Sequence, residues 1–401
     1  MDEPVHNFDS SRWRRSLIFI FSVALLTRIV FVLTLQDGFY FADAPLYSAA
    51  ASHILEYGEF PEDYGRNPLY PLFLAGVFAL AGEDVIILRI VQAVLGGCIA
   101  LLIAVIGKRT GGVLVGAIAG ILWAIYPMGV FIAGLTYPTT LVTALLVGGV
   151  LCLISDPGHH GYPAKIALAG LLFGLAALAK PIVLGTIVFI SFWIVFWRRT
   201  GRVLLASIFL MTAVATLLPW TVRNAYVYDR LVPIEARNLD KAMPWVEAPD
   251  DQSGSENKIW KKVRHLASRF PHEFVSFFEL YPRRVNFLKQ SVRDKSHSRG
   301  SGIVRFTVFG SNPVMALSII SVGFIFTFAM IGIWAMWRDK DKRPELSLFI
   351  MMVLSFALGY ATAWGKIRYR IPVDPYIIVL SSWGVLYAWN RLVKRQRVPG
   401  Q

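Results

Sequence analysis

The sequence predicts an all-α polytopic membrane protein of about ten transmembrane helices, with juxtamembrane helices in the first outer loop. Three observations carry this. The 401 residues are 55% hydrophobic and only 16% charged, whereas soluble domains carry about 25% charged residues. The apolar residues fall in long uninterrupted runs. The cations behind the net charge of +14 sit in short clusters between those runs, which is how a membrane topology signal is written. Anionic lipid headgroups, not nucleic acid, are the partner this charge implies.

The elements follow in order. Residues 1–16 form a basic N-terminal segment carrying Arg12, Arg14 and Arg15. The first apolar run, 17–35, is too long for a signal-peptide core and lacks a small-residue cleavage site, so it is a retained anchor. Further spans are expected at 85–107, 113–131, 138–154, 164–179, 181–197, 203–219, 313–337, 346–362 and 372–390. Runs 164–179 and 181–197 are short and separated by Lys180-Pro181, which fits either a tight helical hairpin or a pair of half-spans. The stretch 68–82 begins with the proline-interrupted Asn67-Pro68-Leu69-Tyr70-Pro71 and is read as an interfacial helix. With it outside the bilayer, Lys108-Arg109, Lys165, Arg198-Arg199-Arg202 and Arg338-Lys340-Lys342-Arg343 share one side. The N-terminal arginines join them, as does the tail 391–401 with Arg391, Lys394, Arg395 and Arg397. The positive-inside rule then places both termini in the cytoplasm. The chain divides into a membrane module, 17–219, carrying the acidic outer loop 36–84, then an outer loop 220–312, partly helical, and C-terminal transmembrane helices over 313–390.

Cys98 and Cys152 lie inside apolar runs and the seven histidines show no ligand spacing, so neither a disulfide framework nor a metal site is indicated. No glycine-rich phosphate loop is present, which argues against an ATPase motor or a nucleotide-sugar site.

The link 363–371 breaks the charge rule that the other short loops obey. In Trp364-Gly365-Lys366-Ile367-Arg368-Tyr369-Arg370 the cations alternate with apolar residues, so in an extended segment all three face one way. They form either a fork for a phosphate at the membrane surface or a set of snorkelling anchors. In the first loop, Asp43 precedes Ala44-Pro45-Leu46-Tyr47. It is placed to be the N-cap of a surface helix, and a carboxylate there could also accept a proton from a hydroxyl. Arg66 stands beside the proline turn, paired with Glu62 or Asp63 or serving a site. Arg223, in Pro219-Trp220-Thr221-Val222-Arg223-Asn224, closes the seventh span next to an interfacial tryptophan. Arg28 and Arg89 lie within apolar spans and must face protein or water, and Lys180 joins them at its turn. Trp260 to Gln290 reads as an amphipathic helix broken at Pro271 and Pro282, with Phe270, Phe274, Phe277, Phe278 and Phe287 packed against the membrane domain.

Asp43-x-x-x-Tyr47, Gly65-Arg66-Asn67-Pro68-Leu69-Tyr70-Pro71, Pro219-Trp220-Thr221-Val222-Arg223-Asn224 and Arg368-Tyr369-Arg370-Ile371-Pro372 occur in an order that resembles the GT-C superfamily of membrane glycosyltransferases. The branch it is most similar to holds bacterial relatives of protein O-mannosyltransferases and the lipid A aminoarabinose transferase, over residues 15–390. The resemblance implies a polyprenyl-phosphate-linked sugar donor, a hydroxyl acceptor, inversion at the anomeric carbon and a bacterial inner-membrane enzyme acting on the extracytoplasmic face. It matches Asp43 to the family's catalytic base, Arg66 to its cation before the proline motif and Arg89 to an arginine early in the second span. With the reading of the loops, Arg66, Lys366, Arg368 and Arg370 are expected to hold the donor phosphate, and Tyr47, Glu62, Asp63, Arg89, Lys180 and Arg223 to support the site. Ala44 stands where a second acid often follows the aspartate, and Gly134-Leu135-Thr136-Tyr137-Pro138 lacks the acid many relatives carry. No cofactor is therefore expected, since a divalent cation would lack its second carboxylate. The rival class is a transporter or flippase of an anionic lipid or small anion. Pro181 and Arg28 suit it, while the charge at the outer face and the absence of a repeat oppose it.

Overall fold

A computed structural model describes residues 10–35, 38–41, 43–62, 64–156, 161–197, 201–235, 255–279, 312–362 and 367–396. Among these, every regular element is helical: α1 (Ser10–Thr34), α2 (Ala44–Tyr57), α3 (Leu69–Ala81), α4 (Val85–Ala124), α5 (Pro127–Ala133), α6 (Thr139–Leu153) and α7 (Tyr162–Ala179). There follow α8 (Val183–Trp197), α9 (Arg202–Tyr228), α10 (Ser255–Phe277), α11 (Asn312–Arg338), α12 (Arg343–Ala361) and α13 (Asp374–Gln396), with 3₁₀ turns at Lys340–Lys342 and Ile367–Tyr369. The chain is a multi-pass membrane protein.

Local chemistry sets the boundaries. Asp84 starts α4 by accepting from the backbone of Ile86 at 2.6 Å, satisfying an orphan donor of the first turn. Gly58 ends α2 in the left-handed region at φ 75°, where glycine carries no Cβ penalty. The helix labelled α4 is really two antiparallel arms, folded at Gly112 with φ 86°. A Cβ at Gly116 would come within 2.5 Å of the Ala104 carbonyl oxygen, so the arms touch backbone to backbone as small residues allow in lipid.

Sequence expectation and structure part at four places. The run 113–131 is not one helix: it breaks after Ala124, and Pro127 starts the separate α5. The seventh span does not end at Pro219, which sits inside α9 with the helix continuing to Tyr228. Pro271 does not break α10, and Pro282 and Phe287 lie outside the described residues. The link before α13 is a 3₁₀ turn over Ile367–Tyr369, so Arg368 and Arg370 do not share one face as in an extended strand, and Lys366 lies outside the described residues.

The 13 residues of α3 reach about 20 Å, short of the roughly 30 Å hydrocarbon layer, and α3 packs on α2 as the interfacial reading expects. Runs 164–179 and 181–197 form a helical hairpin, α7 and α8, turning at Lys180-Pro181-Ile182. The helices alternate between two ends of the bundle. At one end Lys108 lies 4.6 Å from the Trp13 ring and Trp383 donates to Thr110 Oγ1 at 3.4 Å. The first and last helices therefore begin and finish together, among the basic clusters. At the opposite end α2, α3, α5, α10 and the link 367–373 come together.

Candidate active site

The outer end is built from groups that sequence order keeps far apart. Asp43 occupies the position before α2 but makes no capping bond with its side chain. Its carboxylate instead accepts from Arg66 Nη1 at 2.9 Å, with Asp43 41% and Arg66 14% exposed. The expected pairing of Arg66 with Glu62 is not found. Glu62 is exposed, while Asp63 lies outside the described residues. Asn67, next to Arg66, donates to the Ala179 carbonyl at 3.0 Å, so the loop is tied to the α7–α8 turn. Tyr47, on the first turn of α2, is buried edge-on to Tyr70 at 5.3 Å. Tyr70 donates to Gln92 of α4 at 3.3 Å.

Lys180 sits in the α7–α8 turn and points inward. Nζ donates to Thr139 Oγ1 at 2.9 Å and lies 5.3 Å and 5.7 Å from the rings of Tyr137 and Tyr369. Burial, reinforced by neighbouring Arg368, pushes its ammonium down to about 7, because desolvation and a like charge both disfavour the charged form. Arg368 packs against Phe41, Tyr137 and Tyr369, 5.0, 5.8 and 4.9 Å from their ring centres. It donates from Nη2 to the Tyr369 hydroxyl at 2.9 Å, and its Nε is buried without a partner. Tyr369 stacks on Tyr360 at 4.3 Å. Asp43 lies within electrostatic reach of Arg368. Neither Lys180 nor Arg368 has a carboxylate within ion-pair distance among the described residues. The buried Lys180 and the half-buried Arg368 thus share an aromatic pocket with no ion-paired carboxylate among the described residues, an arrangement that invites an anion.

The other expected cations serve different ends. Arg370 is 0% exposed. Its Nε donates to Asp374 Oδ1 at 2.7 Å and its Nη1 to the carbonyls of Phe277 and Glu279 at 3.3 and 2.9 Å. Asp374 accepts a second bond from the Tyr126 hydroxyl at 2.7 Å. Arg370 therefore joins α10 and α5 to α13 and does not line the pocket beside Arg368. Lys366 lies outside the described residues. Arg223 donates to the carbonyls of Pro61 and Tyr64 at 3.2 and 3.3 Å and covers the Trp220 ring, bracing the loop that carries Arg66. Arg89 donates to the Gly38 carbonyl at 2.7 Å and lies 5.5 Å from the Tyr40 ring, fixing the start of the same loop. Arg28 is remote: it donates to the Ala124 and Trp123 carbonyls at 3.2 and 3.4 Å, where a cation suits a helix C-terminus.

Thr139, Tyr137, Tyr360 and Asp374 were not singled out from the sequence. Only the Arg370–Asp374 spacing of four residues carried a local signal, since such pairs meet on a helix. Asp43 is held by Arg66, and no group of three His, Cys, Asp or Glu comes together among the described residues.

No protein-family model and no curated sequence matches the chain. Solved structures do. The chain superposes on the apo oligosaccharyltransferase of Archaeoglobus fulgidus with TM-score 0.62 and 13% identity, covering 98% of this chain and 52% of that one. ArnT from Cupriavidus metallidurans, bound to undecaprenyl phosphate, matches with TM-score 0.63 and 14% identity over 96% of this chain and 62% of that one. The archaeal oligosaccharyltransferase AglB in complex with an inhibitory peptide and a dolichol-phosphate gives TM-score 0.61 at 12% identity, covering 97% of this chain and 52% of that one. The chain thus spans between half and two thirds of the length of these proteins. It has the membrane fold of the GT-C glycosyltransferases.

Proposed function

We propose that the protein is a membrane glycosyltransferase that moves a sugar from a polyprenyl-phosphate-linked donor to a hydroxyl acceptor, with inversion, on the extracytoplasmic face. The observation that carries this is the Asp43–Arg66 pair together with buried Lys180 and half-buried Arg368, two cations with no ion-paired carboxylate among the described residues. Solved structures of the same fold that hold undecaprenyl phosphate or dolichol-phosphate support a carrier of that class.

The chemistry is a single in-line displacement. The donor phosphate is drawn to Arg368, Lys180 and Arg66, with Lys366 close by in sequence. As the phosphate takes up Arg66, Asp43 is released from its ion pair and becomes the base for the acceptor hydroxyl. The bond from acceptor oxygen to the anomeric carbon forms as the bond to the phosphate oxygen breaks, and the carrier phosphate leaves with the negative charge. Preorganised cations stabilise that charge by about 10²–10³-fold in rate per donor. Tyr47, Arg89, Arg223 and Arg370 hold the loops in place.

The test is transfer of labelled sugar from a panel of polyprenyl-phosphate sugars to membrane extract, using detergent-purified protein. Detergent removes the two compartments a transporter needs. Wild-type-dependent product that Asp43→Asn abolishes supports the reading. Absence of turnover across a broad donor panel, with lipid flipping in vesicles, overturns it.

A further inference from the structure

A cavity of about 460 Å³ opens at the basic end of the bundle, away from Asp43. Its walls include Arg109 from the first arm of α4, Asp156 after α6, Lys165 on α7, Trp193 on α8 and Glu345 on α12. Arg109 is fixed there by bonds to the Leu151 carbonyl and Ser155 Oγ, both 3.1 Å. Trp193 is fixed by bonds to the Pro344 carbonyl and Ser347 Oγ at 3.1 and 3.0 Å. Neither Arg109 nor Lys165 has a carboxylate within ion-pair distance among the described residues. Glu345 Oε2 is buried without a hydrogen-bond partner, a state that disfavours a charged group until something answers it. Opposite charges therefore line one void without closing on each other.

We propose that this cavity binds a phosphate–ammonium zwitterion, the phosphate towards Arg109 and Lys165 and the ammonium towards Glu345, with Asp156 adding negative charge. Such a body answers both signs at once. A purely anionic ligand would meet the unanswered Glu345 carboxylate and be disfavoured, which is how a repulsive element creates selectivity. The volume lies within the roughly 300–1,000 Å³ of small-ligand sites. The cavity is lined by Arg109, the chain neighbour of Lys108 at the basic end of the bundle, so an aminophospholipid headgroup is the source the proposal favours. Soluble glycerophosphoethanolamine presents the same chemistry.

The test is native mass spectrometry of the purified full chain, delipidated and titrated with phosphatidylethanolamine, phosphatidylglycerol or glycerophosphoethanolamine. Phosphatidylethanolamine is expected to bind about tenfold tighter than phosphatidylglycerol, and Lys165→Met or Glu345→Gln to weaken it about tenfold. Glu345→Lys is expected to invert the preference towards phosphatidylglycerol, a gain that misfolding cannot mimic. Glycerophosphoethanolamine binding as tightly as the lipid, with the same dependence on Lys165 and Glu345, keeps the site and assigns it a soluble ligand. Equal binding of both lipids, unchanged by all three substitutions, overturns the proposal.

Discussion

Asp43 and Arg66 hold each other at 2.9 Å, and their replacement should fail differently. Under the proposed mechanism Asp43→Asn keeps the shape and removes the base, so kcat should fall about 10²–10⁴-fold with little change in donor binding. Arg66→Ala takes a phosphate ligand away, so donor KM should rise and kcat fall by about 10²–10³-fold. Steady-state kinetics with saturating acceptor separates the two. Lys180 adds a pH signature. Its folded pKa, about 7, is below the unfolded value of about 10.4. The folded state binds fewer protons between those limits, so the lysine's destabilising contribution grows as pH falls from about 10 to 7 and is constant below. The apparent melting temperature in detergent should accordingly rise from pH 7 to 10 in the wild type, relative to Lys180→Met. Asp43, Arg66 and Arg368 stood out in the sequence by residue type and place, but their grouping with Arg370 did not survive, since Arg370 is bound to Asp374. The Thr139 partner of Lys180 was not legible, since a hydroxyl 41 residues away leaves no mark in local spacing.

The elements that matter are the turns between helices. The 3₁₀ turn at Ile367–Tyr369 sends Arg368 into the aromatic pocket and Arg370 into the core, where an extended link would have sent both one way. Replacing one partner of the buried Arg370–Asp374 pair leaves a charge without an answer, at about 3–5 kcal/mol. Asp374→Asn should therefore lower the melting temperature sharply. The double change Arg370→Met with Asp374→Leu should cost less than the sum of the two single changes, a cycle readable by thermal unfolding. Spans were legible because apolar runs of sufficient length have few alternatives in lipid. Breaks within them were less so. Pro127 begins a new helix while Pro219 and Pro271 lie inside helices, and the outcome depends on packing that a window of sequence does not contain.

Over the whole molecule, charge is sorted by end. Lys108, Arg109, Arg338, Lys340 and Arg343 share the end where α1 begins and α13 finishes, and Glu56, Glu59 and Glu83 lie at the other. We propose, from the positive-inside rule, that the first end faces the cytoplasm. In a variant without Cys98 and Cys152, Arg391→Cys should react with a membrane-impermeant thiol reagent only after the membrane is opened, and Glu59→Cys in intact cells. The reverse pattern would place the Asp43 site in the cytoplasm. This sorting was legible in the sequence because short clusters between apolar runs need no tertiary information. What the sequence could not show is which ends of which helices touch, and the site depends on that.

The bond from Tyr126 to Asp374 joins residues 248 positions apart, and this bears on biosynthesis. While the chain is still being made, Asp43 and Arg66 are already in the bilayer with the early helices, but Arg368 has yet to leave the ribosome. The two halves meet only when the final helix is inserted and Asp374 reaches Tyr126. If the proposed function holds, a nascent or prematurely terminated chain can therefore dwell in the membrane with its site incomplete and without transferring sugar.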